Sequence, residues 1–328
     1  RLRFSVLRRS TMAAVTFVVG SIAIISGLAV TIWNSNGLGQ RLPSAAHRLM
    51  DSAAGMPVTN VQLIYTASQI PALEYEPAFD IMIWGDSHAW GVASAFQQLP
   101  DAETKRVACF SQGGTIPLRN VQTRGMDCRV ANAWNDRTLE YIHSKPPRCV
   151  VLVGYWNVYV EGGVDGSAAY ELCDTRTSLP FPQTPPERLL QRKLRQLIED
   201  IEATGSQVVV MHQWPEVEYD PIIGGVGAVV RQGRLPMGNK REWSEKRQAK
   251  SRAAVHAAAT TDTILVDPLP QCVTPDGKRI RVYESGESLY RDRHHLSARG
   301  IQLLLSDSVR QIMDLEGENE SSDIDPLQ

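Results

Sequence analysis

The sequence predicts an α/β protein built on a doubly wound sheet of five parallel strands. Three observations carry that reading. Five short apolar runs, 81–84, 106–110, 149–154, 207–212 and 263–267, lack the regular polar alternation of a half-solvated strand, as strands covered on both faces do. Helix-compatible segments, 88–99, 129–143, 186–203 and 243–260, alternate with those runs, and this order pairs strands in parallel with helices on both sheet faces. Polar and glycine residues follow the strands, as at Gly85-Asp86-Ser87 and Ser111-Gln112-Gly113-Gly114. They fall at the carboxyl edge, where open α/β sheets bind ligands.

The chain has 328 residues, a net charge of −2 and five cysteines. The length allows one sizeable domain plus further segments, and the near-neutral charge gives no argument for nucleic acid. The cysteines are compatible with an oxidising compartment, and their odd number leaves at least one thiol free. The chain starts with Arg1 rather than Met, which reads as a fragment of something longer.

Residues 1–11 form a basic flank, and 12–33 are free of charge and mostly apolar. At about 1.5 Å per residue such a run can span a bilayer core. A signal peptide is the competing reading, but the core is long and no clear small-x-small cleavage site follows closely. A transmembrane helix over 12–33 is therefore expected, with the basic start in the cytosol and the rest outside. Residues 34–77 are rich in Gly, Pro, Ser and Ala and read as an extracytoplasmic linker that packs on the domain in places. The catalytic domain is expected over 78–314 and an acidic, disordered tail over 315–328.

Within the domain, residues 81–84 lead through the turn Gly85-Asp86-Ser87 into a helix whose Ala89, Val92, Ala93 and Phe96 share a face. Ser87 then sits at a strand end and a helix start. Its N–H lies at the positive end of the helix dipole, where it can stabilise an oxyanion. A serine nucleophile needs a base, and the base needs an orienting carboxylate. Asp292 and His295, three residues apart, can point the same way on one turn entering a helix. Ser297 is the candidate cap of that helix, which is expected over 298–313.

Gly85-Asp86-Ser87-His88 near one end of a domain, with Asp292-x-x-His295-Leu296-Ser297 near the other, resembles the SGNH (GDSL-like) hydrolase superfamily. The closer resemblance is to the periplasmic SGNH domains fused behind the membrane domain of acyltransferase family 3, over roughly 78–313. It implies a flavodoxin-like sheet with Ser87, His295 and Asp292 as the triad. It also implies a second oxyanion N–H after the second strand, for which Gly113 and Gly114 both remain candidates.

Many superfamily members have Gly-x-Asn-Asp after the third strand. This chain has Gly154-x-x-Asn157, one residue out of register, together with the Trp156 and Tyr159 common in the fused subfamily. Asn157 is thus a candidate oxyanion donor, while Trp156 either stacks on a sugar or packs in the core. His212, at the end of the fourth strand, is a secondary substrate-site candidate. Where family members often carry a cysteine this chain has Thr115, so Cys109 is the substitute partner for Cys128; Cys173 and Cys272 form a second candidate pair.

The glycine-rich 219–240 lacks the strand and spacing of a nucleotide loop and reads as an irregular loop. No metal cluster is evident, since His294 and His295 are adjacent and no Cys/His pairs accompany them.

The resemblance implies an acyl-serine mechanism that O-acetylates a glycan acceptor at the bacterial inner membrane. No cofactor would bind this domain. Acetyl-CoA would be the ultimate donor, reached through the upstream acyltransferase membrane domain of the same chain. A membrane-anchored carbohydrate acetylesterase and a catalytically silent glycan-binding domain stay open, because the triad residues do not distinguish them.

Overall fold

The computed structural model describes residues 42–322 other than 54–57, 101, 126 and 174–183, together with residue 26. Six strands form the main sheet: β1 (Gln62–Ile64), β2 (Ile81–Gly85), β3 (Val107–Ser111), β4 (Cys149–Val153), β5 (Gln207–Met211) and β6 (Ile264–Val266). Their order is β1-β3-β2-β4-β5-β6, and every pairing is parallel.

The apolar runs are explained by what lies on each side of them. Met82, Trp84, Phe110, Val150, Leu152, Val208 and Val210 enter one core cluster, while Ile81, Ile83, Cys109, Val151, Val153 and Val209 enter the other. Side chains alternate between faces along a strand, so a run buried on both faces carries no polar beat.

Helices α3 (Arg129–Ser144), α5 (Pro186–Glu202) and α7 (Arg241–Ala258) cover the first face with residues such as Trp134, Leu194 and Val255. Helix α2 (Ser87–Phe96), with α8 (Ala298–Leu304) and α9 (Ser306–Ser322), covers the second through Val92, Phe96, Ile301, Leu304 and Ile312. Short helix α4 (Trp156–Glu161) follows β4 directly.

Several expectations are corrected. The sheet has six strands rather than five, because the segment read as linker supplies β1. Its Gln62, Leu63 and Ile64 pair with Ala108, Cys109 and Phe110, and three residues are too few to show a period. The same segment forms helix α1 (Ser44–Ser52), whose Ala46 and Leu49 pack on Val229.

The stretch 219–240 is not an irregular loop, since it contains helix α6 (Pro221–Gln232). Asp220 caps it by accepting from the amides of Ile222 and Ile223, Pro221 opens it, and Gly233 closes it at φ +68°. These end signals outweigh the low helix propensity of its glycines. The last helix runs past the 314/315 boundary to Ser322, with Leu315 still packed on the core.

Neither expected cysteine pair forms. Cys109 and Cys272 are free thiols buried on the second face, and burial holds both thiols well above their ordinary pKa. The basic flank 1–11 and the expected span 12–33 lie outside the described residues, residue 26 apart. Among the described residues no helix is long and apolar enough to cross a membrane.

Gly85 marks where the sheet becomes a site. It pairs with Val153 across β2 and β4, and a Cβ there would sit 1.9 Å from the Val153 carbonyl oxygen. Neither strand can yield without losing its neighbours. Gly85→Ala should therefore destabilise the domain by about 3 kcal/mol, read as a lower urea midpoint; a wild-type midpoint would contradict this packing.

Candidate active site

The turn after β2 is fixed by one buried carboxylate. Asp86 is 1% exposed and caps α2 by accepting the His88 amide at 2.9 Å. It also accepts the Tyr155 amide at 2.8 Å and the Tyr159 hydroxyl at 3.3 Å, and faces His88 Nδ1 at 3.2 Å. Burial alone would raise its pKa, but the bonds and charge of His88 and the Tyr155 amide outweigh it, so the carboxyl titrates below its ordinary range. Ser87 is thereby held as the first residue of α2, its N–H at the helix start.

The end of β3 is tied to the same turn. Ser111 Oγ donates to the Asp86 carbonyl at 2.8 Å, and the Gln112 amide donates to the Gly85 carbonyl at 3.2 Å. A tight turn follows, closed by the Thr115 amide on the Gln112 carbonyl at 3.0 Å. Gly114 takes φ +69° there, the conformation such a turn asks of glycine. Among the described residues the amides of Gly113 and Gly114 have no acceptor.

The base arrives on the loop before α8. His295 Nε2 lies 2.8 Å from Ser87 Oγ, and His295 Nδ1 lies 2.7 Å from Asp292 Oδ2. The other oxygen of Asp292 accepts the amides of His294 at 2.9 Å and His295 at 2.7 Å, so the carboxylate fixes its own loop as well as the ring. Trp214 Nε1 donates to the His294 carbonyl at 2.6 Å, Tyr290 Oη to the Pro215 carbonyl at 2.9 Å, and the Val217 amide to the Arg293 carbonyl at 2.8 Å. These three bonds pin the loop to the segment that follows β5. Ser297 caps α8 through the Gly300 amide at 3.1 Å.

Electrostatics suit a base. Burial raises Asp292, but the hydrogen bond and charge of His295, with the charge of His294, outweigh it and keep the carboxyl ionised far below its ordinary pKa. Burial lowers His295 further than the Asp292 bond raises it, so its ring is neutral at neutral pH. A neutral imidazole whose Nδ1–H is spent on a carboxylate presents an acceptor at Nε2, toward the serine hydroxyl.

The family model for the SGNH domain fused to AT3 domains matches residues 65–307. The chain belongs to that family. No curated protein sequence matches it. Among solved structures, the periplasmic domain of a Salmonella ser. Paratyphi A lipopolysaccharide acetyltransferase is similar at a TM-score of 0.56 and 14% identity, covering 77% of this chain and 90% of that one. A GDSL-like lipase from Bacteroides thetaiotaomicron is 13% identical with a TM-score of 0.42, covering 75% and 96%. At 14% identity the likeness to the Salmonella domain is one of fold.

Three other candidates turn away from an oxyanion or ligand, Trp156 into the core role that the sequence left open for it. Asn157 is fully buried and its side-chain amide donates to Glu216 Oε2, so it does not serve an oxyanion. Trp156 is 1% exposed and donates to the Met211 carbonyl at 2.8 Å, a core role that removes its ring from any ligand. His212 lies against Arg252 and Asp267 rather than the triad; burial, then Arg252, lower its pKa to about 4.

Sequence reasoning missed Asp86 as an anchor and gave no role to His88, although both stand inside the motif. It also missed Glu216, a buried acid that takes Tyr155 Oη and Asn157 Nδ2 and pairs with Arg247 at 3.1 Å. Nothing in its local sequence marks it. A cavity of about 510 Å³ opens beside the triad, lined in part by Tyr155, Asp165, Tyr170, Asp220, Arg293 and His294.

A base at His295 would work in its neutral form, so Ser87-dependent activity should then rise with pH through the His295 pKa. Because that pKa is lowered, the midpoint of the acid limb should lie below about 6.5. Asp292→Asn should cost about 10³- to 10⁴-fold in kcat by permitting the wrong tautomer. A pH–rate profile of both proteins checks this, and an acid limb above that value or a near-wild-type Asn variant would contradict it.

Proposed function

We propose that this domain is a serine-dependent O-acyltransferase that passes an acyl group, acetyl in the first instance, to a sugar hydroxyl of an envelope or exported glycan. The observation that carries the proposal is the continuous chain from Asp292 through His295 to Ser87 Oγ, at 2.7 and 2.8 Å. His295 takes the Ser87 proton as Oγ attacks the acyl carbonyl. The Ser87 amide and that of Gly113 or Gly114 stabilise the oxyanion. His295 then returns the proton to the leaving group; an acceptor hydroxyl whose proton His295 removes attacks the acyl-serine, and His295 gives that proton to Ser87 Oγ as the acyl–Oγ bond breaks.

Family membership supports transfer over hydrolysis, because the family is one fused to AT3 domains. In this reading the upstream membrane domain supplies the acetyl group, drawn from cytosolic acetyl-CoA, and the domain works on the periplasmic side of the inner membrane. The cavity beside the triad supports a sugar acceptor, since Tyr170 lines it with an aromatic ring and Asp165 and Asp220 offer carboxylates for hydroxyl groups.

The test uses the full chain with p-nitrophenyl acetate, with and without a polysaccharide acceptor, beside Ser87→Ala and His295→Ala. Hydrolysis should fall at least 10³-fold in both variants, and mass spectrometry should find acetyl on the polysaccharide only with the wild type. Hydrolysis without any acetylated sugar would turn the reading to an esterase. Turnover equal in all three proteins would overturn the serine mechanism.

A further inference from the structure

Three histidines from two distant parts of the chain meet beside Ser87. One ring nitrogen from each of His88, His294 and His295 lies within 4.8 Å of one from each of the others. The His88 ring stacks on both of the others, at centroid distances of 5.4 and 5.2 Å.

Each ring has a carboxylate on one side. His88 Nδ1 faces Asp86 at 3.2 Å, His295 Nδ1 faces Asp292 at 2.7 Å, and His294 Nε2 lies 3.9 Å from Asp292. The opposite nitrogens are left over. His88 Nε2 and His294 Nδ1 are buried without a hydrogen-bond partner among the described residues, and His88 is only 1% exposed. His295 Nε2 is engaged by the Ser87 hydroxyl. Buried polar atoms in native proteins are rarely orphaned, and two orphaned imidazole nitrogens beside a third are lone pairs in search of a proton or a metal ion.

We propose that His88, His294 and His295 form a reversible inhibitory site for a divalent transition metal of the Zn²⁺ type. Three neutral imidazoles with an open fourth position are a donor set zinc accepts. A carboxylate behind the far nitrogen is the arrangement that orients metal-binding histidines. Zn–N bonds of about 2.0–2.1 Å put tetrahedral ligand nitrogens about 3.3 Å apart, so the rings must close by up to about 1.5 Å. The backbone of the loop is pinned, so the movement would come from the partly exposed rings of His294 and His295 turning on it. The metal would take the His295 Nε2 lone pair and leave Ser87 without its base. The inhibitory half rests on the serine mechanism proposed above; the binding half does not.

The full chain, stripped with a chelator, is titrated with ZnCl₂ by calorimetry while p-nitrophenyl acetate hydrolysis is followed in parallel. One Zn²⁺ per chain is expected, with hydrolysis lost as the site fills and restored by EDTA. His88→Phe, which keeps an aromatic ring without nitrogens, and His294→Ala should each weaken binding at least tenfold; if circular dichroism shows that His88→Phe is unfolded, His294→Ala decides. Ser87→Ala should bind Zn²⁺ at least as tightly as wild type, since its hydroxyl no longer competes for His295. That arm separates the two ideas: binding retained in a chain whose hydrolysis never depended on Ser87 leaves the site standing and removes the mechanism. No binding, or binding untouched in the folded histidine variants, overturns the site. Histidine-dependent binding that leaves Ser87-dependent hydrolysis unchanged overturns the inhibition.

Discussion

The buried carboxylate of Asp86 is the constraint on which the site depends. It accepts two backbone amides, one from its own helix and one from the start of α4 beyond β4. It therefore locks the ends of two neighbouring strands and the first turn of α2 into one arrangement. Hydrogen bonds to a charged group contribute roughly 1.5–3 kcal/mol each, and removing the acceptor would leave buried donors unmet. Gly85 is the steric counterpart, because only a residue without a Cβ lets β2 run this close to the Val153 carbonyl. The position of Ser87 follows from both.

Asp292 repeats the device at the other end of the domain. It accepts two amides, both of its own turn, while facing a histidine ring. Each carboxylate thus sets backbone and imidazole together, and the His88 ring, carried by the first, stacks on the His295 ring carried by the second. Ser87 and His295 are joined by more than their mutual hydrogen bond. Trp214 extends that contact, packing on His88 at 4.6 Å between ring centroids and bonding the carbonyl of His294.

Much of this was legible in the sequence where local pattern and function coincide. The five apolar runs became β2 to β6, and Ser87, Asp292 and His295 could be singled out because turn and cap residues surround them. The edge strand β1 was not legible, since a three-residue strand has no period and takes its identity from pairing with β3. Helix α6 was hidden by its glycines, although Asp220, Pro221 and Gly233 announced both ends. Asn157 and Trp156 were ambiguous for a common reason. Residues at a strand's carboxyl end can face the ligand or the core, and here Glu216 and the Met211 carbonyl turn both inward. Glu216 itself comes into contact with them only through the fold.

The central claim is that Ser87 carries the acyl group, and trapping that intermediate tests it most directly. The full chain would be mixed briefly with p-nitrophenyl acetate, quenched in acid, digested and analysed by mass spectrometry. The account predicts acetyl on the peptide that contains Ser87, at the serine itself, and none there in Ser87→Ala. Acetyl absent from Ser87 in a protein that turns over the ester, or found equally in the variant's peptide, would contradict it.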